Sequence, residues 1–218
     1  MTKDLLIMFD LDGTLWDSAQ EVAESWNEVL LRADPSLPEL TADDIHGVMG
    51  MTMKEISQVM HPAMNPEMRE QVFGECCRYE VDYLYSHPGR LYPALRETLE
   101  ELRGMGYELA VVSNCQTGYV KAFLHSSGTG DLFLDYEEWE RTGLPKGENI
   151  RLVMERNGYG KGIYVGDTRK DEEAARAAGT FFIHASYGFG KTEKPDGVIR
   201  SLAELPDLLR RTDNKKHD

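Results

Sequence analysis

The chain has 218 residues, 41% of them hydrophobic and 28% charged, and its formal net charge is −14. This acidity argues against nucleic acid and anionic membrane surfaces as partners, because both are bound through clusters of Lys and Arg. No stretch approaches the roughly 20 apolar residues of a membrane span, the first apolar run is too short for a secretory signal, and the three cysteines lack a CxxC spacing, so we expect a cytoplasmic protein.

Four short apolar runs mark the strands of a predicted sheet. They cover residues 5–9, 107–112, 162–165 and 180–183. Continuous apolar runs of this length are typical of strands buried on both faces of a parallel sheet. The helix patterns that separate the later runs cover residues 93–103, 147–156 and 169–178. Strands that alternate with helices predict a doubly wound α/β sheet.

The residues between the first and second strands break this alternation, because only helices are predicted there. Ser18 and Glu21 have the spacing of a capping box at a helix start. Thr41 and Thr52 resemble two further starts, and Asn65, which a proline follows, opens a long last helix.

This helical stretch sets the predicted domain organisation. A helical cap domain of residues 17–88 is inserted into an α/β core made of residues 1–16 and 89–218. The polar end of the chain, residues 212–218, is expected to be frayed.

The most informative segment closes the first strand, where Asp10 and Asp12 flank a leucine and precede a glycine and a threonine. Reactive groups of open α/β sheets gather at the carboxyl ends of strands, and side chains two residues apart point the same way. Two carboxylates so close repel unless a cation lies between them or one keeps a proton. Mg²⁺ takes such oxygen ligands, and a carboxylate can also attack phosphorus. The segment therefore predicts magnesium-dependent phosphoryl transfer.

Three later segments place polar groups where strands end or helices begin. Ser113 and Asn114 end the second strand and offer a hydroxyl and an amide to phosphate oxygens. Lys146 precedes a helix and could neutralise charge on a transferring phosphoryl group. Asp167 follows the third strand, where it could bind a metal or cap the next helix, and Asp171 lies about one turn further.

In this order, the four segments resemble the motifs of the haloacid dehalogenase superfamily of phosphatases, over nearly the whole chain. The DxDGT motif matches residues 10–14, the motif serine Ser113, the motif lysine Lys146, and the GDxxxD motif begins at Gly166. The helical insertion resembles that superfamily's type-one cap, and residues 187–190 resemble its phosphoglycolate phosphatase and β-phosphoglucomutase branch. The resemblance implies a Rossmann-like core, Mg²⁺ as cofactor and a small phosphorylated metabolite as substrate.

The resemblance also implies individual roles. Asp10 attacks phosphorus and ligates Mg²⁺, whereas Asp12 protonates the leaving oxygen, activates water and binds the metal through its carbonyl oxygen. Asp167 completes the metal site, and Asp171 supports Lys146 or water on the metal. The residues implied to bind or orient the phosphoryl group are Leu11, Thr14, Ser113, Asn114 and Lys146. One departure is that glycine follows Lys146, where the family often has proline.

The cap is expected to close as a lid that excludes water, with hinges near residues 16–17 and 86–90. Its loop at residues 47–52 should face the site. In that loop Met49 is expected to contact the substrate, since methionines adapt to ligands. His46 adjoins the loop and is a second expected substrate contact.

Other functions compete with hydrolysis. A phosphomutase of the same branch would need an arginine after Gly47 and Val48 to hold a second phosphate, and methionine stands there instead. A receiver-like signalling domain also combines acidic residues with a lysine, but it is shorter and lacks a helical insertion after the first strand. A catalytically idle binding protein is a third alternative. The sequence leaves open the oligomeric state and the choice among phosphoglycolate, a sugar phosphate, a nucleotide and pyrophosphate.

Overall fold

The computed structural model describes residues 4–60, 62 and 64–214. In chain order its strands are β1 (Leu6–Phe9), β2 (Trp16–Asp17), β3 (Arg90–Leu91), β4 (Glu108–Ser113), β5 (Asp135–Glu138), β6 (Gly162–Gly166), β7 (Phe181–Ala185) and β8 (Gly197–Ile199). Its α-helices are α1 (Ala19–Ala33), α2 (Ala42–His46), α3 (Met53–Val59), α4 (Pro66–Ser86), α5 (Leu95–Gly104), α6 (Tyr119–Ser126), α7 (Trp139–Thr142), α8 (Lys146–Arg156), α9 (Arg169–Ala178) and α10 (Leu205–Asn214). None of the helices in these described stretches has the length and apolar character needed to cross a membrane.

Six strands form one parallel sheet in the order β5-β4-β1-β6-β7-β8. The central strand β1 pairs with β4 on one side and with β6 on the other, so Phe9 lies opposite both Val111 and Val165. The chain winds outward from β1 to β5 and then in the opposite direction from β6 to β8, which confirms the predicted doubly wound α/β core. The carboxyl ends of β1, β4 and β6 therefore adjoin at the point where the winding reverses.

Both faces of this sheet are covered by helices. Leu6 and Met8 of β1 belong to a cluster with α8 and α9 on one face. Ile7 and Phe9 belong to a second cluster, with α5, α6 and α10, on the other face. All four side chains are fully buried. A continuous apolar run is what such a two-sided environment requires, since neither face of the strand meets water.

Helices α1 to α4 form an insertion between β2 and β3, and α1 packs along α4. Strands β2 and β3 form a short antiparallel ribbon, in which Trp16 lies opposite Leu91 and Asp17 lies opposite Arg90. The two chain crossings between the sheet domain and the helical insertion thus run side by side. The predicted hinges lie at this ribbon. Motion there, and the domain boundaries at residues 17 and 88, remain predictions.

Two of the three helix starts predicted from threonine and serine have the expected caps. The Thr41 and Thr52 side chains each form a reciprocal capping box at the start of α2 and α3. The box predicted at Ser18 was wrong, because its side chain makes no cap hydrogen bond to α1. Ser18 is buried, and its hydroxyl donates instead to Oδ1 of Asp12 over 2.8 Å.

Strands β5 and β8, at the two edges of the sheet, were not predicted. The first reads Asp-Tyr-Glu-Glu and the second has three residues, so neither presents an apolar run. An edge strand is held by main-chain pairing on one side, and its side chains are less constrained. In the tail predicted to be frayed, residues 212–214 continue α10, and residues 215–218 lie outside the described residues. Fraying of this tail remains a prediction.

Candidate active site

The parallel sheet brings the predicted motif residues to one edge. Asp10 follows the last residue of β1, Ser113 ends β4, and Asp167 follows the last residue of β6. Because these three strands are neighbours in the sheet, their carboxyl ends adjoin. Lys146, the first residue of α8, reaches the same place from the helix layer.

Lys146 is the central cation of this group. Its Nζ lies 2.7 Å from Oδ1 of Asp171 and 3.0 Å from Oδ1 of Asp10. The first contact is a hydrogen bond, and the second is an ion pair. Burial alone would lower the pKa of Lys146, but Asp10 and Asp171 raise it well above its usual range. The side chain is therefore a buried ammonium held between two carboxylates.

The glycine after Lys146 also has a structural reason. A Cβ at Gly147 would lie 2.9 Å from the carbonyl oxygen of Ala174 in α9. Helices α8 and α9 thus approach closely at the position where the superfamily often has proline, and the lysine is still delivered to the site.

Asp167 is fixed through one carboxylate oxygen. Its Oδ2 accepts hydrogen bonds from the main-chain amides of Phe189, over 2.8 Å, and Gly190, over 3.1 Å. Its Oδ1 is buried without a hydrogen-bond partner. Ligand oxygens of Asp10, Asp167 and Asp171 lie within 4.8 Å of one another. The free oxygen thus points to a place where a cation would be in reach of several carboxylates.

Asp171 is less available to bind a metal than the other two carboxylates, because both of its oxygens already accept hydrogen bonds. Its Oδ1 accepts from Lys146, and its Oδ2 accepts from the amide and the hydroxyl of Thr168 over 2.9 Å and 2.6 Å. Asp171 is thus the return partner in a capping box at the start of α9, for which Thr168, rather than Asp167, is the N-cap.

The charges of this cluster are unbalanced. Three buried carboxylates share one ammonium, and burial is the largest cause that raises the pKa of Asp10 to about 7 and that of Asp167 to about 8. Repulsion from Asp171 acts in the same direction on both groups. A divalent cation would supply the missing positive charge and favour the ionised form of each carboxylate. The oxygen-only donor set suits Mg²⁺.

Asp12 has different surroundings from Asp10, although both side chains line one cavity. Oδ1 of Asp12 accepts hydrogen bonds from the hydroxyls of Ser18, over 2.8 Å, and Tyr119, over 2.9 Å. Burial raises the pKa of Asp12 to about 6, and these hydrogen bonds oppose the rise. The Asp12 carboxylate is absent from the acidic cluster, so a metal role would have to use its main-chain carbonyl oxygen.

The turn between the two aspartates is shaped by Leu11 and Gly13. The carbonyl oxygen of Leu11 accepts from the amides of Thr14 and Leu15, and its own amide interacts with the Asp10 carboxylate. The φ of Gly13 is +78°, and a Cβ there would collide with the Asp167 carboxylate. Glycine is needed here both for its conformation and for the approach of Asp167.

The remaining predicted phosphate-binding residues lie around this turn. Thr14 is buried, its Oγ1 has no hydrogen-bond partner, and its carbonyl oxygen accepts from the Tyr187 hydroxyl over 2.8 Å. Ser113 and Asn114 line the cavity that contains Asp10. Asn114 also donates from Nδ2 to the carbonyl oxygen of Gly50 over 3.2 Å, which joins the sheet edge to the cap loop.

The two cap residues predicted to contact the substrate differ in their position relative to the cavity. Met49 lines the cavity, as does the neighbouring Met51. His46 is not among the described residues that line it. Its Nε2 lies 3.0 Å from Oδ1 of Asp17, and its ring packs on Phe189 with centroids 4.3 Å apart. His46 therefore links the helical insertion to the core, and its contact with a substrate remains a prediction.

Several residues at the site were not identified from the sequence. The pattern around Ser18 predicts a helix cap, and no motif surrounds Tyr119. Glu138 holds the start of α6, and hence Tyr119, by accepting hydrogen bonds from the amides of Gly118 and Val120. Residues 187–190 were noticed only through their resemblance. A Cβ at Gly188 would collide with Asp167 and the Gly13 carbonyl, which shows how closely this loop approaches the site.

Comparisons with known proteins agree with this geometry. Residues 7–185 match the family model of the haloacid dehalogenase-like hydrolases. A phosphoglycolate phosphatase of Vibrio vulnificus (strain CMCP6) is 31% identical over 94% of this chain and 95% of its own. The solved structure of a predicted phosphoglycolate phosphatase from Haemophilus somnus 129PT is 27% identical, with a TM-score of 0.82 over 96% of this chain and 100% of its own. A predicted phosphatase from Clostridium acetobutylicum has the same fold, with a TM-score of 0.78 at 22% identity over 97% and 100% of the two chains.

Proposed function

Since the chain belongs to the haloacid dehalogenase-like hydrolase family and is a phosphatase, we propose that it hydrolyses small phosphate monoesters through a phosphorylated Asp10. The observation that supports this best is the difference between the two aspartates. Asp10 lies 3.0 Å from the Lys146 ammonium, whereas the Asp12 carboxylate accepts hydrogen bonds from two hydroxyl groups. Carboxylates with separate surroundings can take separate roles, as nucleophile and as acid–base group.

In the first step, an Asp10 oxygen attacks phosphorus and the bond between phosphorus and the leaving oxygen breaks. Asp12, with a pKa raised to about 6 by burial, gives its proton to that leaving oxygen. In the second step, Asp12 takes a proton from water as the water oxygen attacks phosphorus. Phosphate leaves, and the Asp10 carboxylate is restored.

The other motif residues act on charge and orientation. The Lys146 ammonium and the Ser113 hydroxyl bind oxygens of the transferring phosphoryl group, with Asn114 beside them. Asp171 keeps Lys146 in place through their 2.7 Å hydrogen bond. Thr14 orients the turn, since its carbonyl oxygen is anchored by Tyr187.

The site suits Mg²⁺, which would be held by the Asp10 carboxylate, the free Oδ1 of Asp167 and the carbonyl oxygen of Asp12. When bound, such an ion would offset negative charge on the phosphoryl group. We also propose a cytoplasmic location, for which three free cysteines are the support. No specific observation favours a mutase, because the described residues that line the cavity include neither lysine nor arginine to hold a second phosphate.

A trapping experiment tests the nucleophile. The wild type is mixed with Mg²⁺ and acetyl phosphate, quenched in acid and digested, and the peptide that contains Asp10 should gain the mass of one phosphoryl group. Asp10→Asn should abolish both this label and phosphate release. The matched control is Asp4→Asn, at an exposed position just before the same strand, which should behave as the wild type. Full turnover by Asp10→Asn, or a label on another peptide, would refute the proposal.

A further inference from the structure

The cavity that contains Asp10 and Asp12 extends away from the phosphoryl site into the cap. It measures about 50 Å³, which is room for a few water-sized groups. Most of its wall is apolar and comes from the helical insertion. Representative lining residues are Val22, Trp26, Val48, Met49, Met51 and Ile56. A leaving group in this space would be small and surrounded mainly by carbon and sulfur atoms.

The carboxyl groups of this wall are not balanced by basic side chains. Among the described residues that line the cavity there is no lysine, arginine or histidine, and its ionisable acids are Asp10, Asp12 and Glu80. Lys146 is engaged by Asp10 and Asp171 at the other side of the phosphoryl site. A carboxylate or second phosphate at the far end of a substrate would therefore be buried without a cation. Burying an unpaired charge in this way is strongly unfavourable.

Glu80 is an acidic residue that the helical insertion contributes to this mainly apolar wall. It lies on α4 on one helix face with Cys76 and Leu84, four residues to either side, and all three are buried. Its Oε2 accepts a hydrogen bond from Nε1 of Trp26 over 2.6 Å. Gln116, at the sheet edge, is a second hydrogen-bond partner. The carboxyl group is thus oriented by one residue of the cap and one of the core.

Packing alone does not explain a carboxyl group at this position. Burial raises the pKa of Glu80 to about 8, and the hydrogen bonds from Gln116 and Trp26 only partly oppose this. An apolar side chain of similar size would avoid that cost. A buried acid that faces a substrate cavity and has been given fixed partners is a candidate for ligand recognition.

We propose that Glu80 is a specificity-determining residue that accepts a hydrogen bond from the far end of the leaving group. A hydroxyl group can donate to this carboxyl group in either of its protonation states, and a bound ammonium group would favour the ionised state. The substrate is then the phosphate ester of a small alcohol that carries a hydroxyl or ammonium group and no second negative charge. This inference rests on the proposed function, because the phosphoryl group must lie at Asp10 for the leaving group to enter the cap. It excludes phosphoglycolate as the preferred substrate, although relatives are named for that activity.

Four two-carbon esters that differ in the group at the far carbon test the proposal: 2-hydroxyethyl phosphate, 2-aminoethyl phosphate, ethyl phosphate and phosphoglycolate. With the full-length protein and Mg²⁺, kcat/KM for the hydroxyl or the ammonium ester should exceed kcat/KM for each of the other two by about tenfold or more. Highest kcat/KM on phosphoglycolate, or equal values for all four esters, would overturn the proposal.

Variants of Glu80 connect the preference to this side chain. In Glu80→Leu, the ratio of kcat/KM for the preferred ester to that for ethyl phosphate should fall to about one, mainly through KM. Glu80→Gln should keep a preference for the hydroxyl ester and lose any preference for the ammonium ester. These ratios compare two substrates on one preparation, so partial loss of folded protein does not alter them. An unchanged ratio in Glu80→Leu would contradict the proposal.

The control is Glu75→Gln, an exposed position on the same helix, which should keep the wild-type ratios. The experiment also separates the two levels of inference. If no ester is hydrolysed and acetyl phosphate leaves Asp10 unlabelled, the proposed function fails. If Asp10 is labelled but none of the four esters is hydrolysed, the phosphoryl chemistry stands and the small leaving group proposed here is wrong.

Discussion

The hydroxyl of Tyr119 donates a hydrogen bond to Oδ1 of Asp12 over 2.9 Å. The two residues are 107 positions apart, and the contact joins the first turn of α6 to the turn after β1. Ser18 donates to the same oxygen and lies 2.6 Å from the Tyr119 hydroxyl, so the three groups form one hydrogen-bonded network. The proposed acid–base carboxylate is therefore controlled by residues outside the motif that contains it.

We expect Tyr119→Phe to lower kcat roughly tenfold, because a hydrogen bond to a charged group is worth about 1.5–3 kcal/mol and Ser18 remains. Removing a donor to the carboxylate favours its protonated form, so the pKa of Asp12 should rise and the limb of the pH–rate profile that reports it should move to higher pH. The check is a pH–rate profile of both proteins, with the exposed Tyr85→Phe as the control. An unshifted profile would argue against this control of Asp12.

Asp167→Asn should separate metal binding from folding. Without metal, we expect the variant to be more stable than the wild type, because it removes a buried carboxyl whose pKa is raised to about 8 by burial and by repulsion from Asp171 and Asp10. With Mg²⁺ at about a hundred times its Kd, the wild type should gain about 2.7 kcal/mol, and the variant should gain much less. Thermal unfolding with and without Mg²⁺ measures both effects. The control is Asp82→Asn, at an exposed position, which should respond to Mg²⁺ as the wild type does. Equal responses in all three proteins would show that Asp167 does not bind the metal.

Gly188→Ala should disturb the loop over the site. The added Cβ would collide with the Asp167 side chain and the Gly13 carbonyl oxygen. Because the carbonyl oxygen belongs to the main chain, it cannot move away without a shift of the backbone. We expect a loss of stability of about 1–3 kcal/mol, as in other overpacked positions, together with weaker activation by Mg²⁺. Denaturant unfolding and the Mg²⁺ dependence of kcat check this. Gly160→Ala, which meets no atom within 4 Å, is the control and should change neither quantity.

Glu80→Gln should change how stability depends on pH. Burial raises the folded pKa of Glu80 from 4.5 to about 8. Between these values the folded protein keeps the proton and the unfolded chain does not, so rising pH lowers the free energy of unfolding of the wild type by up to about 1.4 kcal/mol per pH unit. The variant lacks this loss, so its stability relative to the wild type should increase from about pH 4.5 to about pH 8 and then level off. Denaturant midpoints at several pH values measure the difference, and Glu75→Gln should track the wild type throughout.

Much of the fold was predictable because buried strands consist mainly of apolar residues, which form recognisable runs in the sequence. The four central strands are mostly buried, and they stand out as apolar runs. Strand β5 could not be found in this way, since its four residues include three acids and the strand exists through pairing with β4. The motif residues were predictable for a related reason: Asp10, Lys146 and Asp167 occur at strand ends or helix starts, where parallel topology collects them.

The residues that the sequence could not identify are those whose roles depend on contacts across the fold. Ser18 has the pattern of a helix cap, yet the fold brings Asp12 and Tyr119 within reach of its hydroxyl. His46 adjoins the loop at residues 47–52, and the fold places its ring against Asp17 and Phe189. Local sequence sets which partners a side chain can accept, and three-dimensional proximity decides which partner it meets.

The sequence by itself determined the class of chemistry, because two aspartates after a buried strand, followed by serine, lysine and a further acid at later boundaries, have few other uses. Only the tertiary structure showed that Asp10 and Asp12 have different surroundings, because their ion-pair and hydrogen-bond partners come from distant segments. It also brought Glu80 into the cavity from a helix that carries no catalytic motif. The proposed role of Glu80 in substrate choice depends on such contacts between cap and core, and these arise only when distant segments pack together.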